Sequence, residues 1–346
     1  MGATPANLAE WQILFREGDH LVLREDALPY DLQTPLFSDY AHKLRTVWLP
    51  AGTAASYQAD GSLSFPVGTV LTKTFYYPVE NGQLTTQGGD EVGPDNTLDL
   101  SRVQLIETRV LVKRADGWEA LPYVWNSAQT GARLAIAGDI RQVSLQVAGE
   151  REDFNYVVPT KNECASCHAF DHTAAALMPI GPKARHLNKT FDHYADGPAP
   201  QLDTWTKRGL VTGLPTAADR PVAAAWPPTP DGPLDFQARS YLDINCGHCH
   251  NPVGPADTSG LFLHMAETEP RRLGVCKPPI ASGGGSGGRL VSIWPGQPEQ
   301  SIMHFRLHSR DPAAMMPEIG RSLAHVEGAD LIGRWIAAMQ GSCGEV

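Results

Sequence analysis

Cys164-Ala165-Ser166-Cys167-His168 and, 82 positions later, Cys246-Gly247-His248-Cys249-His250 are two complete Cys-x-x-Cys-His motifs, and their reading decides what kind of chain this is. Two thiols three positions apart on a nascent helix reach the two vinyl groups of one porphyrin. The histidine that follows then meets the iron from one side. For a single motif a thioredoxin-like dithiol or half of a zinc site would compete. A four-cysteine zinc site would not need His168 and His250 directly after the second cysteines. The repeat therefore implies two covalently bound haem c groups, one on Cys164, Cys167 and His168, the other on Cys246, Cys249 and His250. His248, inside the second motif, reads as an exposed spacer.

A second iron ligand is expected for each haem. For the second, Met315-Met316-Pro317 lies 66 residues after His250 and precedes an amphipathic stretch. A thioether held by a following proline favours ferrous iron and raises the potential. Met316, next to the proline, is preferred over Met315. A backbone carbonyl within Asn251–Pro255 is expected to orient the His250 ring. For the first haem, Met178-Pro179 repeats the pattern ten residues after His168. Met178 is the first choice there, with His186 or an open position as alternatives and His172 and His193 nearby. Thr173 to Leu177 reads as a helix that would have to end early for Met178 to reach the iron.

Around the motifs the patterning changes along the chain. Thr46–Leu49, Thr69–Tyr77, Val103–Lys113, Trp118–Trp125 and Arg141–Val147 are short β-branched or aromatic runs. Asp60-Gly61, Asn81-Gly82 and Asp116-Gly117 separate them as turns. A helix is expected before them, where Leu8, Trp11, Leu14 and Phe15 give a partial apolar stripe. From Pro159 strand patterns stop, and six prolines between Gly213 and Pro233 mark an extended connector. A helix from Asp235, as N-cap, to the second motif follows. Another from Gly328 to Gln340 presents Leu331, Ile332, Trp335, Ile336 and Met339 on one face. The expected fold class is α+β and multidomain. Residues 1–158 form an antiparallel β-sandwich-like domain, 159–234 a first haem unit with its connector, and 235–346 a second, class I cytochrome c-like domain.

Composition sets the surroundings. The formal net charge of −10 argues against a nucleic-acid partner. No apolar run approaches the roughly 20 residues that span a bilayer. Met1-Gly2 reads as a start placed on a trimmed mature sequence. Export to the periplasm or the outer membrane follows from the haem chemistry, with a lipid anchor possible in a longer precursor. Of six cysteines, Cys276 and Cys343 lie outside the motifs, and an oxidising compartment makes them a disulfide pair. Ser282–Gly288 lacks the ending of a phosphate loop. Asp90, Glu91, Asp95, Asn96 and Asp99 miss the spacing of an EF-hand. His20 and His42 read as surface residues, and residues 1–158 hold no Ser/His/Asp triad or paired carboxylates.

Several further stretches carry a family resemblance. They are Pro35-Leu36-Phe37-Ser38-Asp39-Tyr40-Ala41, Phe65-Pro66-Val67-Gly68-Thr69, Glu107-Thr108-Arg109 and Tyr123-Val124-Trp125-Asn126. Pro179-Ile180-Gly181-Pro182-Lys183-Ala184-Arg185, Cys276-Lys277-Pro278-Pro279 and Met316-Pro317-Glu318 complete the set. With them the chain resembles bacterial two-haem c-type cytochromes of unassigned function, several of them lipoproteins. The resemblance implies two haems and an N-terminal β region, and it does not require a methionine before Pro179. The functional expectation is transfer of single electrons between redox proteins of the cell envelope, rather than catalysis. A two-haem peroxidase or oxidase with one open iron position is one alternative. A β module that binds a sugar or other ligand, with haems exchanging electrons, is the other.

Overall fold

In the computed structural model, which describes residues 4–89, 91–169, 171, 176–280 and 283–344, the chain divides into two compact units. The first comprises Met1–Gln33, Tyr40–Ala165 and Leu177–Val222; the second comprises Thr34–Asp39, Ser166–Ala176 and Ala223–Val346. His172, the start of the Thr173–Leu177 helix, Asp90 of the acidic loop and Ser282 of the Gly/Ser run lie outside the described residues.

The first unit is built from twelve main strands: β1 Leu14–Glu17, β2 His20–Leu23, β3 Leu28–Tyr30, β4 His42–Trp48, β5 Val70–Glu80, β6 Gln83–Thr85, β7 Leu98–Asp99, β8 Val103–Arg114, β9 Gly117–Trp125, β10 Ala132–Leu134, β11 Asp139–Val147 and β12 Glu150–Val158. The long strand β5 organises them. One edge pairs antiparallel with β4 from His42–Tyr76 to Trp48–Val70. The other pairs with β8 from Val70–Val112 to Pro78–Val103, with a bulge between Phe75 and Tyr76. A nine-stranded sheet results, running β10-β9-β8-β5-β6-β11-β12 with β4 and β3 attached through β5. Strands β1, β2 and β7 make a separate three-stranded sheet.

Alternation puts Leu44, Val70, Val110, Val112, Leu121 and Tyr123 into one core. Threonines share that face, and their buried hydroxyls satisfy one another: Thr46 with Thr72 at 2.6 Å and Thr74 with Thr108 at 2.8 Å. The opposite face carries a buried ion pair among apolar residues such as Leu71 and Phe75. Glu107, fully buried, accepts two bonds from Arg109 at 2.9 and 2.6 Å and one from the Tyr156 hydroxyl at 2.7 Å.

Residues 184–207 belong to this first unit, and the excess of strand over short helices overturns the expected fold class. Among the described residues the α-helices after Pro159 are α1 Cys164–His168, α2 Ala184–Leu187, α3 Gln201–Lys207, α4 Leu234–Asn245, α5 Ile302–His308 and α6 Val326–Ala338, and short strands at Thr190–Phe191, Ala199–Pro200 and Val211–Thr212 lie among them. Among the described residues these six helices, the longest of thirteen residues, are outweighed by strand. A sandwich-like domain followed by two mostly helical cytochrome units is therefore not what the chain forms. Prolines explain the shortness, since each removes a donor and bars the preceding residue from helical angles. The segment uses its polar groups to join the sheet instead. Asp31 binds Arg45 at 2.8 Å and Lys189 at 3.0 Å. The Gln201 amide pairs with the Asp31 backbone in both directions, at 2.7 and 3.0 Å.

The helix expected over Leu8–Arg16 is also corrected. Leu8–Trp11 is a single 3-10 turn that ends at Gln12 with φ 53°, and the chain then enters β1. The strand-dense run from Val70 to Val147 matches the expected pattern. A further strand, β12, pairs with β11 through all nine residues, and the patterning did not predict it.

The second unit rests on α4 crossing α6. Ala238, Tyr241 and Leu242 pack on Ala329, Leu331, Ile332, Trp335 and Ile336. Asp235 lies inside α4 rather than capping it, and its carboxylate accepts the Trp335 indole N–H at 2.8 Å. A Cβ on Gly328 would collide with the Tyr241 ring and hydroxyl, so glycine is what lets the helices approach. Cys276 and Cys343 are joined as a disulfide across 67 residues. In the chain-entropy picture that closure contributes about 4 kcal/mol. The segment Thr34–Asp39 is part of this unit. Phe37 stacks on His325 with centroids 4.2 Å apart, and the Phe37 amide donates to Asn245 at 2.8 Å. Gly328→Ala should lower stability by about 1–3 kcal/mol through overpacking. That exceeds the helix-propensity gain of up to about 1 kcal/mol. Urea unfolding of the full chain followed by far-UV circular dichroism measures it, and a stabilised variant would show that Tyr241 yields freely.

Candidate functional site

The second motif sits where α4 ends. Cys246 is its C-cap residue, and the Cys246 and Gly247 amides both bond to the Leu242 carbonyl, which turns the chain sharply into Gly247–His250. Cys246 is buried, and burial pushes its thiol up to about 12. His250 is also buried, and loss of hydration lowers its imidazole to about 4, so the ring is neutral at neutral pH. Its Nδ1 lies 3.3 Å from the Leu261 carbonyl, which can only accept, so Nδ1 carries the proton and Nε2 keeps its lone pair. Ser259 Oγ stands 3.4 Å from the same nitrogen. The orienting carbonyl therefore comes from Leu261, not from Asn251–Pro255 as the sequence suggested. Asn251 serves the turn instead, donating to the Gly247 and His248 carbonyls at 3.1 and 3.0 Å.

A cavity of about 180 Å3 opens beside the motif, with Cys246, His250, Met303, Leu307 and Met316 in its walls and Lys277 and Arg306 among its polar residues. Met316 reaches it from the loop between α5 and α6, and Arg321 holds that loop. The buried Arg321 guanidinium donates to the carbonyls of Leu323 at 3.0 Å, Arg306 at 3.1 Å, Ser309 at 3.0 Å and Met316 at 3.0 Å. Asp39 completes the hold by accepting the Ser322 and Leu323 amides, both at 2.7 Å. A planar guanidinium can serve several carbonyls at once in a way an ammonium cannot. Neither Arg321 nor Asp39 stood out in the sequence as a site residue. The only sequence signal touching them was the resemblance at Pro35–Ala41, which contains Asp39.

The first motif is arranged differently. Cys164 is buried on α1 with its sulfur 3.5 Å from the Thr160 carbonyl. Cys167 and His168 are half-buried. Cys167 and Cys249 are hydrogen-bonded to each other. That bond, with help from His248, holds the Cys167 thiol well below the ordinary thiol range, and the Cys249 thiol is raised in return, because the pair shares one proton. His248 is buried rather than an exposed spacer. Met178 is 42% exposed, and His186 is fully buried in α2. His193 packs edge-on against Phe191.

This arrangement overturns the expectation of two haem c groups and with it the description of the chain as a metal-binding diheme cytochrome. Among the described residues no group of three or more His, Cys, Asp or Glu side chains gathers as it would around a metal ion. The six helices are too few and too short for two haem c units. No helix among the described residues is long and apolar enough to cross a membrane.

No protein-family model, curated protein or solved structure matches the chain. The functional reading therefore stands on the geometry and on the motifs.

Arg321→Ala should cost about 3 kcal/mol, since it leaves buried carbonyls unpaired at roughly 1–3 kcal/mol each, partly relieved by relaxation. Arg321→Lys should recover only part of that loss. Guanidinium unfolding of each variant decides it. Stability within about 0.5 kcal/mol of the parent, the usual range for surface changes, would show that the loop holds without the guanidinium.

Proposed function

We propose that the chain is an exported protein that exchanges electrons with redox partners of the cell envelope, and that the Cys167–Cys249 thiol pair is where it does so. One observation supports this most: the half-buried Cys167 and Cys249 of the two motifs are hydrogen-bonded to each other with His248 beside them, and that contact lowers the Cys167 thiol. A lowered thiol next to a second thiol oxidises reversibly to a disulfide: one S–S bond forms, and two protons and two electrons pass to a partner's disulfide, which is reduced to two thiols. The outer cysteines are buried, and burial raises the Cys246 thiol, which keeps it out of the exchange.

The test is a redox titration. Equilibrated with mixtures of oxidised and reduced dithiothreitol and mapped without further reduction, the full chain should form and lose a Cys167–Cys249 linked peptide reversibly. Cys249→Ser should abolish that peptide, and Cys246→Ser should leave it in place. Cys167 and Cys249 open to alkylation at every poise would overturn the proposal.

A further inference from the structure

Within the first unit, and apart from both cysteine motifs, a second cavity of about 420 Å3 lies beside the start of β5. Trp11, Trp48, Arg24 and Arg114 form its walls, and Val70 and Val112 line it from the sheet. Arg24 lies over the Trp48 ring at 5.0 Å and Arg114 over the Trp11 ring at 5.7 Å. Both indole N–H groups are already engaged: Trp48 donates to Asp26 at 2.9 Å and Trp11 to the Tyr123 hydroxyl at 2.8 Å. The rings are thus fixed in place, and what they offer a visitor is their apolar surface. Each guanidinium is also paired with a carboxylate, Arg24 with Asp26 and Arg114 with Glu119 at 2.9 Å, and Lys161 shares Glu119 at 2.7 Å.

We infer that this cavity is a binding site for a neutral saccharide. A sugar ring has a C–H face that lies on an indole and a rim of hydroxyls that both donate and accept. The walls supply the matching surfaces: rigid aromatic area from Trp11 and Trp48, and the guanidinium N–H groups of Arg24 beside the one bonded to Asp26. Because the cations are paired, the cavity gives a strongly anionic ligand little advantage over a neutral one. Its size falls near the small end of the roughly 300–1,000 Å3 of small-molecule pockets, which suits one or two sugar rings. The fixed rings keep the cost of ordering the site low. The inference is independent of the redox proposal, because every residue in it belongs to the first unit.

Isothermal titration calorimetry of the full chain with maltose, cellobiose and N,N′-diacetylchitobiose tests it. At least one disaccharide should bind saturably, and Trp48→Ala should weaken that binding by about tenfold or more, a loss readily read from the binding constant. Arg24→Gln, at a partly exposed position, should weaken it severalfold, and it decides the matter if Trp48→Ala does not fold. Absence of saturable binding to all three sugars up to about 10 mM, the weak limit for such a contact, would overturn the inference. So would affinity unchanged in the variant that decides.

Discussion

The close crossing of α4 and α6 is the constraint on which the second unit depends. Gly328 lies against the Tyr241 ring, and no larger residue fits there. That approach seats Leu331, Ile332, Trp335 and Ile336 on the inner face of α4, and Asp235 ties the far end through Trp335. With α4 fixed, its last turn delivers Cys246 to the cavity wall, and the turn that follows brings the His250 ring to the Leu261 carbonyl. The site is thus a consequence of helix packing, and the motif residues alone would not position it. The loop carrying Met316 needs its own support, and Arg321 with Asp39 provides it.

The first unit solves a different problem. A long strand paired on both edges presents two faces, and this sheet buries both in unequal ways. One face is apolar, with threonine hydroxyls bonded in pairs; the other closes around Glu107, Arg109 and Tyr156. Burial and the neighbouring Glu107 carboxylate raise the Tyr156 hydroxyl well above its ordinary range, so it stays a donor. The Glu107–Arg109 pair is buried with its hydrogen bonds made, the condition under which such a pair is tolerated.

Much of this was legible in the sequence, and the remainder was hidden for identifiable reasons. β4, β5, β8 and β9 announced themselves through β-branched and aromatic runs bounded by turns. β12 did not, because Glu150, Arg151, Glu152 and Asp153 put charge where a half-buried strand is expected to alternate; its outer residues face water. The Leu8–Phe15 stripe suited a helix equally well, until Gln12 took a left-handed conformation that no pattern signals. The amphipathic α6 was read nearly as it stands, as was the Cys276–Cys343 pair. The two helical units failed because the motifs led the reading, while the prolines after Pro159 prevented long helices there. Arg321 was invisible because an arginine that binds backbone carbonyls leaves no spacing rule behind.

The two motifs meet within the second unit, where the Cys167 and Cys249 thiols share a hydrogen bond. The central proposal is that this thiol pair exchanges electrons by forming and breaking a disulfide. The most direct measurement is peptide-level mass spectrometry of the oxidised full chain, mapped without reduction. The expected result is a linked pair of peptides, one containing Cys167 and the other Cys249, that separates on mild reduction while Cys276–Cys343 stays joined. Cys167 and Cys249 both open to alkylation in the oxidised chain would contradict it.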